Sequence, residues 1–298
     1  MSLYNVFVQD EVSLAPDRLS LIAGSKFEHH KYVGIEVQPG IRLLFTPSET
    51  QTWWASIARA VRLPSRKERN ARIHIGAFQP SPFSPPILLA LLPNRDASSE
   101  RLLAYELGWR IEPRPHVSLD ASVYYHVYDR LFTYDKEPAR FESTPTPPHV
   151  LVPIAGANIG DGHSYGAELA VQWMATERWH LSTGASWLRM HIHPDASADG
   201  TTPRFQAFVR SSLGLPVNLE LNGGLSYVDR LTGGNGASYV PAYLRLDIGI
   251  AWRPSDSFDA GIWGSNLLES HHPEFIGYAT AVQSEVPRSF TARLTWRY

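Results

Sequence analysis

The last nine residues of the chain alternate without a fault. Phe290, Ala292, Leu294, Trp296 and Tyr298 are apolar, and Thr291, Arg293, Thr295 and Arg297 between them are polar. A period of two over that length predicts a β-strand with one apolar and one wet face. The same pattern recurs upstream. Leu103, Tyr105, Leu107, Trp109 and Ile111 alternate with Ala104, Glu106, Gly108, Arg110 and Glu112. Val117 to Tyr128 and Tyr243 to Arg253 repeat it, with Leu119, Val123 and Tyr125 on one face of the first and Leu246, Ile248 and Ile250 on one face of the second.

Strand length and the polar face decide what buries the apolar face. Strands of soluble sandwiches run to ~5–6 residues, whereas several here reach a dozen with Arg, Asp and Glu placed mid-strand. That arrangement suits a water-filled lumen inside a lipid-facing wall. The predicted fold is therefore all-β, an antiparallel transmembrane β-barrel, with odd positions of 103–111 and 117–127 facing outward.

Turn residues organise the chain. Tight turns fall at Ala15–Arg18, Pro47–Thr50, Glu112–Pro115, Ala175–Arg178, Leu215–Asn218 and Arg253–Asp256, where Pro, Asp, Asn or Ser supplies turn geometry. Between them lie longer connections at His29–Glu36, Leu63–Ser99, Thr133–Val150, His191–Pro203, Leu231–Val240 and Glu269–Arg288. Short and long connections alternate, as periplasmic turns and extracellular loops do in outer-membrane barrels. The count is about 13 long strands, with Arg72–Phe78 and Ile87–Leu92 forming an extra hairpin in the longest loop. First and last strands then run the same way, so either a strand escapes the pattern or strands are missing from the N-terminal side, giving a partial barrel.

Composition narrows the classes. Charged residues are 19% of 298, below the ~25% of soluble domains, and nine Trp and 13 Tyr suit aromatic girdles. A net charge of −2 gives no basic field for nucleic acid, and the lack of cysteine removes disulfides and thiolate metal sites. The longest apolar run, Ile87–Leu92, is far short of the ~20 residues of a membrane helix. Met1 to Asn5 carries no basic or apolar leader, so no signal peptide is visible, and the sequence reads as a mature form, a fragment or a truncated gene product.

Four segments carry a resemblance. Trp53 to Arg66, with Arg59-Ala60-Val61-Arg62 and Pro64-Ser65-Arg66 at its core, resembles the SRAVRTPSR stretch of TonB-dependent outer-membrane receptors, with Leu63 where Thr is usual. Asn94-Arg95-Asp96 followed by Glu100 resembles their NPxLxxE strand start, with Arg95 in place of Pro. Ser164 to Leu169 resembles their SYGxEL strand. Asn266-Leu267-Leu268, His272 to Phe275 and Pro287-Arg288-Ser289 with the final strand resemble their C-terminal signature.

The resemblance spans the chain in order. It implies that residues 1–298 are the C-terminal portion of a barrel of about 22 strands, without the plug domain and early strands. It also implies a Gram-negative outer-membrane location and uptake of a large scarce nutrient such as a metal chelate. The implied partners are outer-membrane lipid, the barrel-assembly machinery and, where a plug is present, a TonB-type energy-coupling protein. The terminal strand, with Phe290, Leu294, Trp296 and Tyr298, is the implied assembly signal. A second reading is a truncated barrel remnant without transport.

No enzyme, cofactor or metal site is expected. Gly162-His163-Ser164-Tyr165-Gly166 spells the hydrolase elbow G-x-S-x-G and raises an esterase using Ser164, but that motif needs a helix next, and Tyr165 to Trp173 alternates as a strand. His191 and His193 beside Asp195, His29-His30 and His271-His272 read as solvated loop histidines rather than ligands. Gly233 to Gly236 reads as a flexible turn without the lysine of a phosphate loop. Arg110, Asp120, Glu168, Glu220, Arg245, Asp247 and Arg293 are expected to form a charged lumen ladder.

Overall fold

The computed structural model describes residues 3–194, 199–232, 239–275 and 284–298. Thirteen strands form one antiparallel wall in chain order: β1 (Leu3–Ala15), β2 (Leu19–His30), β3 (Gly34–Ser48), β4 (Gln51–Arg62), β7 (Glu100–Arg114), β8 (Val117–Lys136), β10 (His149–Thr176), β11 (Trp179–His193), β12 (Phe205–Leu215), β13 (Leu219–Val228), β16 (Tyr243–Ser255), β17 (Phe258–Ser265) and β20 (Ser289–Trp296). This is the predicted count. The extra hairpin also forms, as β5 (Ile73–Phe78) and β6 (Ile87–Leu92), and β6 lies parallel to the first third of β10, with Val150 opposite Ile87. Short strands complete the loops: β9 (Arg140–Glu142), β14 (Leu231–Thr232), β15 (Tyr239–Val240), β18 (His271–Pro273) and β19 (Glu285–Pro287), with the single helical turn α1 (Arg66–Asn70).

Among the described residues β1 pairs only with β2 and β20 only with β17, so the wall has two edges. Both edge strands run in the same direction, because every step between them is antiparallel.

Two connections depart from the sequence pattern. His29–Glu36 was expected to be a long connection, yet β2 continues through His30 and β3 begins at Gly34, leaving a three-residue turn. The alternation misleads there because Gly34, at φ +77°, makes the tight reversal itself. At the second, β7 continues through Glu112 to Arg114, so the turn narrows to Pro115 and His116, the latter at φ 71°.

Outward positions carry the apolar residues, and they are exposed: Leu107 at 47% and Val123 at 50% face no second sheet. Register places the aromatics in two belts on that face. Near the tight turns, Phe45 lies opposite Trp53, and Trp53 stacks on Trp109 at 5.2 Å; Trp173, Trp179 and Trp252 occupy the corresponding ends of their strands. Near the other end run Tyr105, Tyr125, Tyr165, Trp187, Phe205 and Tyr227. Tyr165 and Trp173 are eight residues apart in β10. At ~3.4 Å per residue and a tilt of ~35–45°, that separation covers most of a ~25 Å apolar band.

The inner face has no hydrocarbon to fill it, so the sequence places small and polar residues there. Two glycines have a steric reason. A Cβ at Gly108 would stand 2.2 Å from the Trp54 indole, and one at Gly166 would stand 2.4 Å from the Tyr124 hydroxyl and 2.3 Å from the Trp187 carbonyl. Large inward aromatics lie flat over neighbouring strands only where those strands lack a side chain.

Candidate lumenal site and its loop brace

The expected charge ladder forms in part. Arg110 Nε donates to Asp120 Oδ1 at 2.6 Å across the β7–β8 pair, and Arg253 Nη1 lies 3.1 Å from Glu220 Oε2 across β13 and β16. At the last pair of strands Asp259, 6% exposed, holds Arg297 at 2.9 Å and Arg293 at 3.6 Å. Arg245 and Asp247 are neighbours on one strand rather than partners across two, with Nε 3.1 Å from both carboxylate oxygens. Glu168 stands in the lumen near Tyr124 without an ion-pair partner among the described residues.

Arg110, Asp120, Glu168, Arg245 and Asp247 line a hollow of about 820 Å³ on the concave face. Its lining mixes the arginines Arg110, Arg210 and Arg245 with the carboxylates Asp120, Glu168, Asp247 and Glu274, beside Trp54, Phe208 and Tyr243. The Arg210 guanidinium lies 4.8 Å from the Phe208 ring centroid, and the Arg42 guanidinium lies 5.1 Å from that of Trp54. Arg210 makes no direct ion pair among the described residues and shares the hollow with Glu168, which makes none either. The rim of the hollow is tied to the loop after β17. Arg245 Nη1 lies 3.5 Å from Glu274 Oε1, and the Asn266 N–H donates to Asp247 Oδ1 at 2.9 Å.

The family-like segments at the loop end assemble into one brace. Arg62 donates through Nε to Glu100 Oε2 at 2.6 Å and through Nη2 to Glu100 Oε1 at 2.5 Å and Glu68 Oε1 at 3.0 Å. Ser65 and Glu68 form a capping box on α1, at 3.2 and 2.7 Å. Asn94 receives none of this charge but fixes the backbone: its N–H donates to the Glu68 carbonyl at 2.8 Å and its Nδ2 to the Gly156 carbonyl at 2.8 Å. Glu100 also accepts the Phe132 N–H at 2.8 Å, which joins β7 to β8. The Glu68 carboxyl is held below its ordinary pKa. Burial pushes it up, but the Ser65 N–H and the Arg62 guanidinium together outweigh that push.

Histidine placement overturns one expectation. His30, 2% exposed, sits at the end of β2 against Tyr32, with ring centroids 5.1 Å apart. His272, 3% exposed, stacks on Tyr243 at 4.2 Å and lies 3.1 Å from Glu274 Oε1. Neither is a solvated loop histidine, because strand pairing and an aromatic neighbour cover each. His29 and His271 remain exposed. His191 lies 3.7 Å from Asp199. Asp195 and the Gly233 to Gly236 turn lie outside the described residues. Among the described residues no group of three metal-ligating side chains converges.

Ser164 lies inside β10, 1% exposed, with its hydroxyl 3.1 Å from that of Tyr128. The strand runs on to Thr176, so the turn-to-helix geometry of a nucleophile elbow is missing there. Phe290, Leu294 and Trp296 project from β20, and Tyr298 follows it; all four are exposed.

An antiparallel wall with an apolar exterior between two aromatic belts and a charged interior defines a transmembrane β-barrel of the outer-membrane kind. Residues 2–267 match the family described as TonB dependent receptor-like, beta-barrel, and the chain belongs to that family. The family is one of Gram-negative outer-membrane receptors rather than enzymes. No curated protein matches the chain. Among solved structures it is similar to the siderophore receptor PirA from Acinetobacter baumannii, at 14% identity and a TM-score of 0.79, covering 99% of this chain and 45% of that one. It is likewise similar to a mutant ferric enterobactin receptor from Pseudomonas aeruginosa in complex with enterobactin, at 17% identity and TM-score 0.77, covering 99% and 45%. A third is the siderophore receptor PirA from Pseudomonas aeruginosa, at 15% identity and TM-score 0.70, covering 98% and 48%. The chain thus spans less than half the length of the receptors it resembles, and it forms part of a barrel wall.

Proposed function

We propose that residues 1–298 form the C-terminal portion of the wall of an energised outer-membrane importer whose cargo is an anionic metal chelate. The observation that carries this reading is the hollow on the concave face, where the Arg210 guanidinium lies over Phe208 without a direct ion pair among the described residues, and Tyr243 and Arg245 stand at the rim. Guanidinium and aromatic groups together recognise a large anion with flat ligand arms through charge and stacking. The resemblance to siderophore receptors points the same way. Coupling to a TonB-type protein acts through a plug domain, and contact with the barrel-assembly machinery acts through β20 with Phe290, Leu294, Trp296 and Tyr298.

Deletion of the chromosomal segment encoding residues 1–298 in the source bacterium tests the proposal. Uptake of at least one ferric chelate, dependent on the proton-motive force, should disappear under iron limitation and return on complementation. Unchanged uptake across a chelate panel would favour a barrel remnant without transport. Arg210→Gln in the restored gene should raise the KM for that chelate with little change in protein level.

A further inference from the structure

Two imidazoles stand side by side on the outward face, where β10 and β11 run past the belt formed by Tyr165 and Trp187. His163 and His191 are cross-strand partners, one rung beyond the Tyr165–Arg189 pair, and their ring centroids lie 5.1 Å apart at an interplanar angle of 45°. Among the described residues this is the only ring contact between two histidines. The histidines of β2 and β18 are adjacent in sequence, so His29 and His30, like His271 and His272, point to opposite faces of their strands.

Each ring is also held from a second side. His163 lies against Tyr125 at 5.9 Å and Tyr165 at 6.2 Å, and it makes no hydrogen bond among the described residues. His191 has its Nδ1 3.7 Å from Asp199 Oδ2. Asp199 is itself anchored, because its Oδ1 accepts the Ile192 N–H at 3.0 Å. A carboxylate on the Nδ1 side favours the proton there and leaves Nε2 with its lone pair outward.

We propose that His163 and His191 together hold a divalent transition-metal ion of the zinc or copper kind, with Asp199 orienting the His191 ring from behind. Imidazole is the ligand these ions prefer among the groups present. With metal–nitrogen bonds of ~2.0–2.1 Å and a tetrahedral angle, two imidazoles on one ion have ring centroids about 5 Å apart. The pair already stands at that separation. Water fills the remaining positions, since no third ligating side chain converges there among the described residues. The local charge suits a cation: Asp199 and Asp161, the latter opposite His193 on the next rung, outnumber the single guanidinium of Arg189. Through Asp199 the ion fastens the segment between β11 and β12 to the wall. The site lies on the face opposite the hollow and is independent of any transported cargo.

The test titrates Zn²⁺ into the full chain, folded in detergent at neutral pH, by calorimetry. Wild-type protein should bind one ion that is lost on acidification, as imidazoles protonate. His163→Ala and His191→Ala should each weaken it about a hundredfold, because a two-point grip becomes a single contact. Asp199→Asn should weaken it about tenfold, the cost of losing the orienting carboxylate. His29→Ala and His271→Ala, which remove exposed imidazoles elsewhere, should bind as wild type. Cu²⁺ in place of Zn²⁺ should give a paramagnetic resonance spectrum with two coordinated nitrogens. Equal binding by the wild type and the His163 and His191 variants, or a single-nitrogen spectrum, overturns the proposal. Heat-modifiable migration of each variant on gels establishes that it is folded.

Discussion

Arg62 and Glu100 form a two-pronged ion pair across β4 and β7, and each end of that pair is already committed elsewhere: Arg62 to Glu68 of the loop helix, Glu100 to the Phe132 N–H of β8. Two segments 38 residues apart in sequence thereby clamp the base of the longest loop to three neighbouring strands.

The clamp is asymmetric, and that gives the first prediction. Glu100→Ala removes the guanidinium's main partner and strands a part-buried backbone N–H, which costs about 1–3 kcal/mol. Arg62→Ala removes only a solvent-reached partner, for about 1 kcal/mol or less. Urea midpoints of the detergent-folded protein should fall further for Glu100→Ala. Equal losses would show that the Phe132 bond contributes nothing.

The second concerns pH. Because the folded Glu68 carboxyl titrates below its ordinary value, its contribution is complete above the unfolded pKa and is lost as pH falls through the folded one. Hydrogen exchange across residues 65–97, corrected for intrinsic rate, should show the loop loosening only below the usual carboxylate range. Glu68→Gln should already be loose at neutral pH and respond little to acid. A wild-type loop that loosens on raising the pH would contradict the assignment.

The third separates the two faces of one strand. Val123 faces outward at 50% exposure and Ser122 inward beside it. Val123→Arg puts a charge into the apolar band and should cost about 2–4 kcal/mol near the midplane. Ser122→Arg adds the same charge to the lumen and should fold at near wild-type yield. Heat-modifiable folded protein is the readout.

The fourth tests the terminal strand. Phe290→Ala with Tyr298→Ala should cut outer-membrane insertion several-fold in a full-length relative carrying this segment, if β20 is what the assembly machinery reads. Wild-type amounts of folded protein in the membrane would remove that role.

Much of this molecule is written as a period of two. Alternation at 103–111 and 117–127 determined which side chains take the outward apolar face, and the order of turns determined a wall of thirteen antiparallel strands. Such properties are legible because a strand's faces depend only on local geometry. The family-like segments around Arg62, Asn94 and Glu100 were visible as words without a use. Their use depends on strands 38 residues apart being brought side by side, which only pairing decides. The same holds for His30 and His272, whose burial comes from aromatic neighbours rather than from their own sequence. Arg189 and Arg59 look alike in sequence, each on the outward face of a strand. That Arg59 pairs with Glu36, and Arg189 with no carboxylate among the described residues, was settled by where the carboxylates fold, because charge pairing is a matter of a few ångströms between distant parts of the chain.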